Sequence, residues 1–154
     1  MVGFLALAID PLFAPALLTV GSLEYQHGFV KEAMELFLTL TKLPENEEDL
    51  AEIIDKAGNF LLDHEEFKKA LEIYLSAERA YPTQALHYIG SGYCYYKLGK
   101  IEESIRKERR AVELEPNNYF HLNDLGYSLL EAGLFEEAKT VLKRSISLAP
   151  PEYE

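Results

Sequence analysis

The sequence is poor in cysteine and in positive charge, and it has no tryptophan. Its single cysteine, Cys94, excludes an internal disulfide, so thiol usage lends no support to secretion. Fifteen lysines and arginines stand against 26 aspartates and glutamates, giving a formal net charge of −11 and a pI near 4.8. That field repels phosphate, which argues against a nucleic-acid or anionic-membrane partner and would steer a basic segment inward. No charge-free apolar run of membrane-spanning length occurs. Met1 to Val20 is strongly apolar, but Asp10-Pro11 and Pro15 interrupt it, and a span needs about 20 mostly apolar residues. The same stretch lacks the basic leader of a signal peptide, so a cytoplasmic protein is expected. Also missing are sustained period-two alternation, a glycine-rich phosphate loop and a nucleophile elbow, so neither strands nor an enzyme is expected.

What is present is a period. Gly58, Gly92 and Gly126 lie 34 residues apart, and so do Pro82, Pro116 and Pro150. The same phase aligns Phe67, Ile101 and Phe135, then Ala70, Ser104 and Ala138. An upstream copy carries Gly21, Gly28, Val30, Ala33 and Phe37, followed by about three extra residues. Repeats therefore run at about 14–47, 51–84, 85–118 and 119–152. Each unit divides into two amphipathic helices. In the third, Tyr88, Tyr95 and Tyr96 share one helical side, and Leu98-Gly99-Lys100 makes the turn. A second helix bears Ile101, Ile105, Ala111, Val112 and Leu114 until Pro116 stops it. The glycine of the first helix and the alanine about twelve residues later are expected where the two helices cross, because small residues allow close approach.

Tyr95-Tyr96-Lys97-Leu98-Gly99 and Glu113-Leu114-Glu115-Pro116-Asn117-Asn118 resemble the tetratricopeptide-repeat consensus, and the resemblance covers nearly everything after residue 14. It implies an all-α, right-handed solenoid of about four antiparallel helix-turn-helix hairpins over 14–152, behind an apolar N-terminal segment, 1–13. Departures are Tyr88, Leu122 and Ile54 where a tryptophan is common, Glu65 for the turn glycine, Ser104 and Ser145 for alanines, and Glu108 at a usually apolar position.

The resemblance further implies protein or peptide binding, without a cofactor, in a concave groove lined by the first helix of each hairpin. Its groove positions fall here on Asn59, Leu86, Ile89, Tyr93, Tyr96, Phe120, Asn123 and Tyr127, with Glu52, Asp55 and Asp63 as an acidic wall. The partner is thus expected to be apolar or basic. Where a heat-shock-tail groove would carry lysine, asparagine and arginine stand Leu18, Ser22, Lys56, Phe120 and Asp124, so that specialised use is not expected. Tyr88 and Tyr95 are assigned to packing between repeats, and Tyr93 and Tyr127 to the groove.

The run Arg106-Lys107-Glu108-Arg109-Arg110 reads as a solvated outer face, with Glu108 pairing with one of its arginines. The four histidines and Cys94 make no metal site, since His87 and His121 sit on successive hairpins, about 8–10 Å apart, and zinc binds its ligands at about 2 Å. A homodimer through the N-terminal segment or the C-terminal hairpin would cover apolar surface at either end. The function expected is an adaptor or scaffold. A chaperone like those of type III secretion, holding a hydrophobic client, and a regulatory fragment of a larger protein are the alternatives.

Overall fold

Four tight turns organise the chain. At each, a helix ends on a residue in the left-handed region: Gly28 (φ 88°), Glu65 (57°), Gly99 (75°) and Gly133 (76°). In all four the N–H of that residue bonds the carbonyl three back, and the next N–H bonds the carbonyl five back, at 2.9–3.0 Å. This double bond satisfies carbonyls that a helix end leaves unpaired and reverses the chain. Glycine adopts the conformation freely. Glu65 adopts it at a cost of about 1 kcal/mol.

The structure, a computed structural model, describes residues 8 and 10–151. Among them are eight helices and no strand: α1 Ala14–Gln26, α2 Val30–Leu40, α3 Leu50–Asp63, α4 Phe67–Ala80, α5 Ala85–Lys97, α6 Ile101–Leu114, α7 Tyr119–Glu131 and α8 Phe135–Leu148. They pair as hairpins α1–α2, α3–α4, α5–α6 and α7–α8, an all-α helical-hairpin repeat. None of the described helices is long and apolar enough to cross a membrane.

The chain forms two compact units, residues 1–82 and 83–154. In the first, α3 packs against α1, α2 and α4. The extra residues between α2 and α3 are tied down: the Tyr81 hydroxyl donates to the carbonyls of Leu43 (2.6 Å) and Leu40 (3.2 Å), and the hydroxyls of Thr41 and Ser76 meet at 2.7 Å. In the second unit α5 packs on α6 and α7, and α7 on α6 and α8. Ile105, Leu125, Leu129 and Ala138 form its buried centre, flanked by Ile101, Val112 and Val141. Asn118 caps α7, its Oδ1 accepting from the backbone N–H of Phe120 and His121.

The crossing points differ from the expectation in one respect. Ala33, Ala70, Ser104 and Ala138 are indeed fully buried. What presses on each helix-one glycine, however, is the side chain sixteen residues on: Phe37 over Gly21, Tyr74 over Gly58, Glu108 over Gly92 and Leu142 over Gly126. A β-carbon at Gly58 or Gly126 would overlap the covering side chain, whereas at Gly92 it would stand 3.0 Å from Glu108 Cγ.

Most of the apolar N-terminal segment, residues 1–7 and 9, lies outside the described residues, and with it the dimer contact expected there. The part described ends in a turn, with Asp10 Oδ1 accepting from Leu12 N–H at 2.9 Å. On the C-terminal hairpin, Phe135 and Ile146 are both 65% exposed.

Candidate functional site

The first helices of the second unit carry two stripes in one register. On α5 the stripe is Leu86, Ile89, Tyr93 and Tyr96, and on α7 it is Phe120, Asn123, Tyr127 and Leu130. Each steps by three, four and three residues, which keeps it on one side of a helix. Exposure singles out the rings: Tyr93 is 46%, Phe120 56% and Tyr127 60% exposed. Leu86, Ile89, Tyr96 and Asn123 are half-buried and frame them. The Tyr93 and Tyr96 rings stack 6.5 Å apart at 18°, and Phe120 lies against Tyr119 at 4.3 Å. Beside Asn123 on α7, burial raises the carboxyl of Asp124 despite an opposing effect of His121. Since α5 packs on α7, the second unit brings seven of the eight groove residues onto adjoining helices.

The eighth, Asn59, belongs to the first unit. It is exposed, and its amide donates to Asp55 Oδ2 at 2.8 Å. Asp55 also accepts from the Tyr74 hydroxyl at 2.8 Å; its burial raises the carboxyl, and these two hydrogen bonds oppose the rise. Asp55 is thus engaged within its own unit, and the exposed part of the acidic wall is Glu52 and Asp63.

Tyr88 and Tyr95 are both half-buried. Lys107 Nζ lies 5.7 Å from the centre of the Tyr88 ring, so this tyrosine meets the second helix of its own hairpin. In the basic run, Arg109 pairs with Glu137 at 2.6 Å and Arg110 with Glu113 at 2.9 Å, as a solvated face would. Glu108 departs from the expected arginine pairing. It is 3% exposed, and its Oε1 accepts from Ser104 Oγ and Ser128 Oγ, each at 2.9 Å. The helical register carries it inward while its sequence neighbours point out.

His87 is fully buried, and burial lowers its imidazole to about 4. His121 Nε2 meets Glu115 at 2.9 Å and Asn118 at 3.1 Å, while His27 and His64 bond carbonyls of their own helices. Among the described residues no three histidine, cysteine, aspartate or glutamate side chains gather as a metal set would. Cys94 is buried, which raises its thiol to about 12 and leaves it protonated.

Known proteins match this arrangement of paired helices. Of the curated relatives, superkiller protein 3 of Saccharomyces cerevisiae is 29% identical over 91 residues, 59% of this chain and 6% of that protein. The small glutamine-rich tetratricopeptide repeat-containing protein 2 of the same yeast is 21% identical over 98 residues, 64% of this chain and 28% of its own length. The chain thus spans less than a third of either. Among solved structures, the crystal structure of MamA superposes with a TM-score of 0.68 at 19% identity, covering 95% of this chain and 84% of that one. MamA from Desulfovibrio magneticus RS-1 gives 0.66 at 21% identity, with 92% and 78% covered. These likenesses concern the fold. Two tetratricopeptide-repeat profiles match residues 56–119 and 122–152, which include the Gly58, Gly92 and Gly126 crossings and the aromatic stripes apart from Phe120. With the 34-residue period, the four identical turns and those matches in agreement, the chain belongs to the tetratricopeptide-repeat family.

Proposed function

We propose that the chain is a non-catalytic adaptor or scaffold, working in the cytoplasm, that holds an extended or helical peptide against the stripes on α5 and α7. The observation that carries this reading is the exposure of Tyr93, Phe120 and Tyr127 on adjoining helices. Water-facing rings are costly to keep unless something covers them, and tyrosine offers a large amphipathic contact with little side-chain entropy to lose. Asn123, with both a donor and an acceptor, would fix the backbone of the occupant between the rings. The acidic surplus of the chain favours a segment that alternates apolar and basic residues.

The test is capture from native lysate by the wild type and by the double variant Tyr93→Glu with Tyr127→Glu. Each ring anchor contributes about 2 kcal/mol, so the pair should cost several hundred-fold in affinity. Helicity and melting temperature should stay near wild type. A well-folded double variant that retained its partner would place the binding surface elsewhere.

A further inference from the structure

At the position that covers the helix-one glycine, three hairpins place Phe37, Tyr74 and Leu142, and the third places a carboxylate. Glu108 sits over Gly92, is 3% exposed and reaches α7 through Ser128. Four short contacts join this cluster: Ser104 Oγ to the Gly92 carbonyl (2.9 Å), Ser104 Oγ and Ser128 Oγ each to Glu108 Oε1 (2.9 Å), and the two hydroxyls to one another (3.2 Å). Two serine hydroxyls supply two protons for those contacts, and a protonated Glu108 would supply a third. Glu108 Oε2 is buried with no hydrogen-bond partner among the described residues. An ionised carboxylate would leave that oxygen charged and unsolvated; a neutral acid carries a much smaller penalty.

We propose that proton loss from Glu108 near neutral pH loosens the packing of α7 on α6, so that the last hairpin opens more readily in alkaline than in mildly acidic solution.

The surroundings agree. Burial is the main cause that lifts the Glu108 carboxyl to about 7, the serine bonds oppose it, and the Asp124 charge on α7 adds to the rise. Asp124 is itself raised by burial, with His121 acting against that rise. On α5 the residue under Glu108 is Gly92, and that helix's buried titratable groups, His87 and Cys94, stay neutral across the range concerned. On α6 itself Arg109 and Arg110 are engaged with Glu137 of α8 and Glu113, and Lys107 with the Tyr88 ring. None of these three cations bonds Glu108. A carboxyl held above its ordinary 4.5 stabilises the fold fully below that value, and the contribution is lost as pH rises through about 7.

Amide hydrogen exchange, corrected for intrinsic rates, provides the test. In the wild type, protection of the core amides of α7 and α8 should fall about tenfold from pH 6 to pH 8. In Glu108→Gln it should fall far less, and in Glu108→Leu, which restores the Leu142-type cover, α7 and α8 should be at least as protected at pH 8 as in the wild type. Asp124→Asn should keep the fall but move it to lower pH. Equal pH profiles for wild type and Glu108→Gln would overturn the proposal. So would disappearance of the whole effect in Asp124→Asn, which would make Asp124 the responsible group.

Discussion

The two compact units use one backbone plan and place their aromatic residues differently. In the first, Phe37 and Tyr74 are fully buried over their glycines, and Tyr81 anchors the loop between α2 and α3. Tyr25, Phe60 and Phe37 meet edge to face at 5.5 and 5.9 Å, and the Tyr25 hydroxyl donates to Glu66 at 2.9 Å. Among the described residues, Phe13 and Phe29 are the first unit's exceptions. In the second, the covering positions are Glu108 and Leu142, while Tyr93, Phe120, Tyr127 and Phe135 face solvent. The repeat dictates turns and crossings; it leaves open whether a ring serves the core or the surface. The second unit fills its described core with aliphatic and small residues and leaves Tyr93, Phe120, Tyr127 and Phe135 to solvent.

Substitutions can break or sharpen this contrast. The largest effect is expected from a charge placed in the second core: Ala138→Glu should destabilise by at least about 4 kcal/mol in chemical unfolding, since Ala138 is fully buried in an apolar cluster. Gly58→Ala should follow, at about 2–3 kcal/mol, because the new methyl overlaps the buried Tyr74 ring. Gly92→Ala should fall within about 1 kcal/mol of wild type, where a contact with a bendable glutamate is offset by improved helix propensity. Equal losses at both glycines would dissolve the distinction between ring-covered and glutamate-covered hairpins. At the turns, Glu65→Gly should raise stability by about 0.5–1 kcal/mol, relieving the left-handed strain that its three counterparts avoid. Smallest in thermodynamic terms, Glu52→Gln with Asp63→Asn should leave the melting temperature unchanged. That pair should also flatten the loss of partner affinity as salt rises from about 0.05 to 0.5 M. Asp55→Asn should flatten it less, its carboxylate being held by Tyr74 and Asn59.

Much of the fold was legible because its determinants are local. A left-handed turn wants glycine and a helix stop wants proline, so spacing alone revealed the hairpins. Glu65 shows that the turn survives losing its preferred residue once the flanking helices have decided it. The stripe on α5 and α7 came from the resemblance to the repeat family, whose groove positions fall on the first helix of each hairpin. Exposure was not legible, because it depends on what packs against each helix. Glu108 is the clearest case: the arginines beside it suggested an ion pair in water, whereas its equivalence to Phe37, Tyr74 and Leu142 marked an inward position. That equivalence was available in the sequence and outweighs the neighbours, because burial follows the repeat. Asn59 is exposed, as its groove position implies, and its hydrogen bond to Asp55 could not be read from the repeat.

The most direct measurement is tyrosine nitration of the native protein, mapped by mass spectrometry with and without the captured partner. Tyr93 and Tyr127, 46% and 60% exposed, should be modified quickly, and the partner should protect both. Tyr74 and Tyr81, at 0% and 5%, should react only once the chain is unfolded. Native reaction of Tyr74 at the rate of Tyr127, or rings on α5 and α7 that the partner leaves unprotected, would contradict the division between core aromatics and binding aromatics.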